Sequence, residues 1–224
     1  MLIPRHIAII PDGNRRWARK KGLPVVEGHR KGAEMLGELA KIAKELNIHT
    51  VSFWAFSTEN WDRTKKEVHA LMALFEQGFK KHFSDLIKNK IHFYHIGRKD
   101  RISESLLRLI SQTEKETKQF RTHYFVLGLD YGGRDEVLRA AKKISNSKLN
   151  EEQFNQFLDT KDLPYPYPDL VIRTGGEQRT SGFMIWQTAY SEWIFHPKYF
   201  PDFTPQDLRN CIREYSKRQR RFGK

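Results

Sequence analysis

His6-Ile7-Ala8-Ile9-Ile10-Pro11-Asp12-Gly13-Asn14 sets a short apolar run against an abrupt polar turn. Such a run, bounded by Pro, Asp, Gly and Asn, reads as a strand followed by a loop. Working outward, apolar residues at Met35, Leu36, Leu39, Ile42, Ala43 and Leu46 have helical spacing over 31–46. Thr50-Val51-Ser52-Phe53-Trp54-Ala55-Phe56 is rich in β-formers. A second helix carries Val68, Leu71, Met72, Phe75, Phe79, Phe83 and Leu86 on one face. Strands follow at 91–96, 124–129, 169–172 and 193–195, with helices predicted at 103–117 and 135–144. Thr204 is the expected cap of a last helix running to about Gln219. Strands separated by helices imply right-handed crossovers, and so an α/β fold: a parallel central sheet flanked by helices on both faces. One domain is expected over 1–224.

Open sheets of this kind bind ligands beyond the carboxyl ends of their strands. Four predicted strand ends carry polar, glycine- or arginine-bearing loops: 12–16, 57–63, 130–134 and 173–179. One such loop is common in any fold; four on one edge point to a shared site. Glycine lets backbone N–H groups approach an anion, and arginine presents a planar fork that matches phosphate oxygens. Gly13-Asn14-Arg15-Arg16, Arg63, and Arg173 with Arg179-Thr180-Ser181 have that chemistry, with more cationic groups than one monophosphate requires. Asp12 suits Mg²⁺ held jointly with substrate phosphates, or equally an Asx turn or helix cap. Asn60 suits substrate orientation or a cap. Glu177 and Glu192 are further acid candidates that also read as ordinary surface acids. His29 suits a phosphate or a plain surface role, and the Phe75, Phe79, Phe83 stripe suits core or ligand wall.

Composition narrows the class. The chain has 224 residues, 38% hydrophobic and 30% charged, with a formal net charge of +13, so anionic partners are expected. No apolar run approaches the roughly 20 residues that span a bilayer. The start of the chain lacks the pattern of a signal peptide, so a cytoplasmic location is expected. Cys211 is the only cysteine, which excludes an internal disulfide. There is no phosphate loop of the Gly-Lys-Ser/Thr type, no dinucleotide fingerprint, no zinc spacing, no Gly-x-Ser-x-Gly elbow and no Asp-Asp-x-x-Asp pair. A basic nucleic-acid binder is the rival class, but no recognition motif appears and the arginines follow strand ends, so no nucleic-acid partner is expected. The tail 217–224 is dense in charge and suits a solvated end, a peripheral membrane contact or an arm toward a partner subunit.

Five blocks in order resemble the cis-prenyltransferase family, in its bacterial undecaprenyl-forming branch: His6 to Asn14 with Arg16-Trp17-Ala18; Gly28-His29; Phe56-Ser57-Thr58-Glu59-Asn60-Trp61 with Arg63; Asp169 to Glu177; and Trp186-Gln187 through Ala189-Tyr190 to Glu192. The match runs from about His6 to Gly223. The resemblance implies a Mg²⁺-dependent prenyltransferase that adds isopentenyl diphosphate to farnesyl diphosphate. It implies a homodimer, an apolar tunnel in each subunit and a polyprenyl product of undecaprenyl length. Asp12 matches the family's magnesium-linked catalytic aspartate, and Asn60 the residue given a proton-acceptor role. Gly13, Asn14, Arg15, Arg16, Trp17 and His29 fall on the allylic-substrate loop, followed by Ser57, Thr58, Glu59, Trp61 and Arg63. Arg173, Arg179, Thr180 and Ser181 match the isopentenyl diphosphate site, and Glu192 a second magnesium ligand. Arg221 resembles the tail arginine that reaches the neighbouring subunit's site. Departures are Pro11 for a frequent methionine, Arg15 for a frequent glycine, Asp130 for asparagine, Leu129 for a frequent small residue, and Val25 for an arginine, which removes one expected diphosphate contact.

Overall fold

The computed structural model describes residues 2–145 and 148–218. Six strands form one parallel sheet: β1 (His6–Ile10), β2 (Thr50–Ser57), β3 (His92–Ile96), β4 (Tyr124–Tyr131), β5 (Leu170–Arg173) and β6 (Glu192–Phe195), ordered β3-β4-β2-β1-β5-β6. The predicted strands are all present. β1 lies at the centre, with Ile7 and Ile9 packed on one face and Ala8 and Ile10 on the other.

The two faces are covered unequally. On the Ile7 side pack α2 (Val25–Glu45), α3 (Lys65–Lys88), α4 (Glu104–Thr117) and α7 (Pro205–Lys217), through residues such as Leu39, Leu71, Ile110 and Ile212. On the Ile10 side, Phe183 and Met184 from a largely irregular segment fill the core, and α5 (Gly133–Ala141) joins them through Glu136. The short α6 (Glu151–Asn155) lies against that segment, with Phe154 beside Trp186. Thr204 caps α7 as expected: its Oγ1 accepts from the Asp207 N–H while Asp207 reaches back to the Thr204 N–H.

Three helices differ from expectation, the five-residue α6 being one that no apolar spacing announced. α1 (Asn14–Lys20) stands where the sequence suggested loop, because Gly13 at its start takes φ 105°, a left-handed conformation that reverses the chain sharply into a helix. α2 begins six residues earlier than its apolar spacing suggested. Its first turns pack against α1, and a Cβ on Gly28 would stand 2.1 Å from the Asn14 carbonyl oxygen. No helix among the described residues is long and apolar enough to cross a membrane.

Candidate active site

The carboxyl edge of the sheet carries two cationic clusters, each gathered on a carboxylate. The first lies where β1 and β5 end side by side, with Ile10 paired to Arg173. Asp12 follows β1, and its backbone oxygen accepts from Thr174 Oγ1 at 2.8 Å and from the Phe200 N–H at 3.0 Å, which fixes the turn. Its Oδ2 accepts from Arg173 Nη2 at 2.9 Å and its Oδ1 from Arg16 Nη2 at 3.2 Å. Arg173 is buried, and its Nη1 also donates to Ser181 Oγ at 2.8 Å and to the Arg179 carbonyl. Arg16 continues to Glu177 at 2.9 Å, and Glu177 pairs with Arg179. Asp12, Arg16, Arg173, Arg179 and Ser181 therefore meet as the sequence predicted. Thr180 stands beside them, accepting weakly from the Gly182 N–H. Tyr199 was not foreseen: the Arg16 guanidinium lies 5.2 Å over its ring, and its Cβ sits where any side chain on Gly13 would go.

The second cluster joins α1, α2 and the segment after β2. Glu67 Oε1 lies 3.1 Å from Arg63 Nη1, 3.7 Å from Arg15 Nε and 3.9 Å from His29 Nε2. Burial, reinforced by the Arg63 guanidinium, pushes the His29 imidazole down to about 4, so it is neutral at neutral pH. Burial likewise holds Arg63 below its ordinary range; Glu67 opposes this, and Asp12 is near enough to oppose it too. The clusters are thus electrostatic neighbours. Arg15 Nε, His29 Nε2 and Arg173 Nε are buried without a hydrogen-bond partner. Donors in that condition are costly unless a ligand or water completes them. Glu67 was missed by sequence reasoning. Thr64-x-x-Glu67 reads as an ordinary helix cap, and Thr64 Oγ1 does accept from the Glu67 N–H, but the carboxylate turns to the arginines instead.

Several expected substrate contacts are structural. Trp17 is buried and donates its indole N–H to Asp202 at 2.8 Å, so it seats α1 rather than facing the site. Trp61 donates to the buried Asp130 at 2.8 Å and lies under the Arg101 guanidinium, which also pairs with Asp130. Asn60 Oδ1 accepts from the Ser57 N–H at 3.2 Å and Ser57 returns the bond, a cap on the 58–62 turn. The Asn60 carbonyl is occupied, and its Nδ2 has no partner among the described residues. Thr58 approaches Gly132, and Glu59 is exposed. Asn14 Nδ2 donates to the Pro11 carbonyl at 3.2 Å, bracing the loop.

Glu192 is not brought to Asp12. It pairs with Leu170, three residues before Arg173, so it sits at the amino end of β6, about 10 Å along the strand from the site's edge. Its carboxylate accepts from Arg218 Nη1 at 2.8 Å. One ion cannot be held by both Asp12 and Glu192 of the same chain. Arg221 lies outside the described residues. Behind the first cluster, buried Glu136 accepts from Tyr131 Oη at 2.6 Å, Gln187 Nε2 at 3.0 Å and the Asp159 N–H at 2.8 Å, tying the end of β4 to the segment that carries Arg179 to Ser181.

Beside the second cluster, α2 and α3 face each other along a partly covered apolar face. α2 and α3 meet at their amino ends through His29 and Glu67, and at their carboxyl ends through Lys44 Nζ, which donates to the Asn89 carbonyl at 2.6 Å. Between these ties Leu36, Ile42, Leu46, Val68, Met72, Phe75 and Phe79 are only partly buried, and Leu71 is the one fully buried residue of α3.

A family model described as putative undecaprenyl diphosphate synthase matches residues 10–223. The chain is 45% identical to an isoprenyl transferase of Thermotoga maritima, covering 100% of this chain and 98% of that one. A crystal structure of lavandulyl diphosphate synthase from Lavandula x intermedia, in complex with dimethylallyl diphosphate, superposes with a TM-score of 0.96 at 36% identity, covering 99% of each chain. A probable undecaprenyl diphosphate synthase of Campylobacter jejuni superposes with a TM-score of 0.83 at 33% identity over 100% of each chain.

Proposed function

Because the chain belongs to the cis-prenyltransferase family, we propose that it condenses isopentenyl diphosphate onto farnesyl diphosphate, giving a polyprenyl diphosphate of undecaprenyl length. The observation that carries this reading is the pair of carboxylate-bridged cationic clusters at one sheet edge, beside the partly covered apolar face of α2 and α3. Two clusters suit two diphosphates, and the apolar face of α2 and α3 suits the growing hydrocarbon. The primer diphosphate takes the Arg15, His29 and Arg63 cluster with Gly13 and Arg16. The isopentenyl diphosphate takes Arg173, Arg179 and Ser181.

The donor set fits magnesium in one way only. No three potential ligands gather as a metal cage among the described residues. Asp12 is a single carboxylate with a partly exposed side chain, and it would share Mg²⁺ with substrate diphosphate oxygens. When bound, the ion neutralises charge on those oxygens. The chain's own groups do the rest. Arg16 and the second cluster stabilise the departing diphosphate as the primer's C1–O bond breaks and its electron pair leaves with oxygen. The isopentenyl π electrons form the new bond to that carbon, and the neighbouring proton passes to an oxygen of the released diphosphate as the C–H pair restores a double bond. Asn60, whose carbonyl is committed to Ser57, positions the donor through its amide nitrogen rather than serving as a base. Pairing of two chains as a homodimer belongs to the same reading.

The test is incubation with labelled isopentenyl diphosphate, farnesyl diphosphate and Mg²⁺, followed by product sizing. Long polyprenyl chains are expected, with turnover lost in Asp12→Ala. No incorporation with any allylic primer, or full activity in that variant, would refute the assignment.

A further inference from the structure

Glu67 holds the second cluster together incompletely. Of the three groups that converge on its Oε1, the cations Arg63 and Arg15 and the neutral His29, only Arg63 is within hydrogen-bond distance. Arg15 Nε and His29 Nε2 are buried and unpartnered. A single carboxylate therefore neutralises part of the charge and leaves donors over, which a larger and more highly charged anion would use. The carboxylate is also placed where it can leave. It stands in the first turn of α3, beside exposed Lys65 and Lys66, on a helix with little of its surface fully buried.

We infer that Glu67 is a built-in competitor for diphosphate: it fills the cationic cluster when the site is empty, gives way to the substrate's diphosphate, and returns to help expel inorganic diphosphate after each condensation. This rests on the diphosphate reading of the cluster. Arg63, Glu67 and His29 are each less than a quarter exposed, with Arg15 more open at 42%, so the Arg63–Glu67 pair is weakly screened. A carboxylate that stayed in place would repel the incoming anion, and one that returns would lower the affinity for the leaving anion. The opposing view, that Glu67 merely orders the arginines, predicts the opposite sign on its removal.

The experiment is a calorimetric titration of inorganic diphosphate into the full-length protein, beside inhibition of chain elongation by the same anion. Glu67→Gln is expected to bind inorganic diphosphate about tenfold more tightly, since a repelling charge has been taken from a partly buried anion site. Inhibition should set in at correspondingly lower concentration. Glu67→Ala should move in the same direction, and Glu67→Asp should stay near the parent. Glu34→Gln, which removes an exposed acid paired with Lys31, controls for net charge and should change nothing. Unchanged or weaker diphosphate binding in both Glu67→Gln and Glu67→Ala, with elongation by the parent intact, overturns the role of Glu67 alone. Failure of the parent and of both variants to bind inorganic diphosphate overturns this role together with the diphosphate reading.

Discussion

Arg15 leaves its buried Nε unpartnered 3.7 Å from Glu67, in a cluster it shares with Arg63 and His29. Position 25 is one helical turn before His29, so Val25 lies on the same face of α2. An arginine at 25 would extend toward the cation cluster that Arg15 reaches from α1. If the cluster binds the allylic diphosphate, the Arg15 guanidinium would stand in for the one that Val25 lacks. A charged hydrogen bond contributes about 1.5–3 kcal/mol, so Arg15→Gly should raise KM for the allylic diphosphate about tenfold or more, with a smaller effect on kcat. Adding Val25→Arg in that background should restore much of the affinity; no rescue would separate the two positions. The sequence made Asp12, Arg16, Arg63 and Arg173 legible because each follows a strand end, and strand ends can be read from apolar runs. It did not make Glu67 legible, since its spacing from Thr64 reads equally well as a cap. The bracing bonds of Trp17 and Trp61 were not legible for a related reason: an indole looks the same in a wall or in a brace, and the partners, Asp202 and Asp130, are distant in sequence.

Among the elements, α3 was predicted from its apolar stripe, and the stripe is there, but most of it is only half-covered. Periodicity reports which face is apolar and says nothing of what covers it. The ties at Glu67 and Asn89 stand about 33 Å apart along α3, and the partly covered apolar face lies between them. If chain growth follows this face, Met72→Trp should shorten the product by at least one isoprenoid unit, and Leu86→Ala near the far end should lengthen it, read by sizing the dephosphorylated products. The melting temperature separates this from ordinary core packing. Overfilling a closed core costs about 1–3 kcal/mol, whereas filling an open cleft should leave stability nearly unchanged. Unaltered product length in both variants would remove α2 and α3 as the tunnel walls. α1 escaped prediction because its seven residues bury only Trp17 and Ala18, too few for a periodic signal.

For the whole molecule, the strand-helix alternation was enough to give the parallel sheet, but not the identity of the chain that the tail serves. The ion pairs of Arg218 with Glu192 and Glu214 place the start of the tail at the edge strand β6, near the amino end of that strand. Nearby in sequence, Ile185 and Tyr190 are exposed large apolar residues, 44% and 77% accessible, where a second copy of the chain could cover them. Three residues beyond Arg218 in sequence is Arg221, outside the described residues. Whether Arg221 serves its own chain or a partner is a question of assembly and has an assembly-level answer. Asp12→Ala and Arg221→Ala chains should each be inactive alone. If Arg221 completes the neighbouring site, a mixed dimer contains one site with its own Asp12 and the partner's Arg221 both intact. Random mixing in equal amounts should then recover up to about a quarter of full activity, since half of the dimers are mixed and each has one working site. If Arg221 serves its own chain, every site in every dimer lacks one residue and no activity returns. Refolding the two variants together and measuring isopentenyl incorporation distinguishes these outcomes, and recovery would also show that the site is complete only in the dimer.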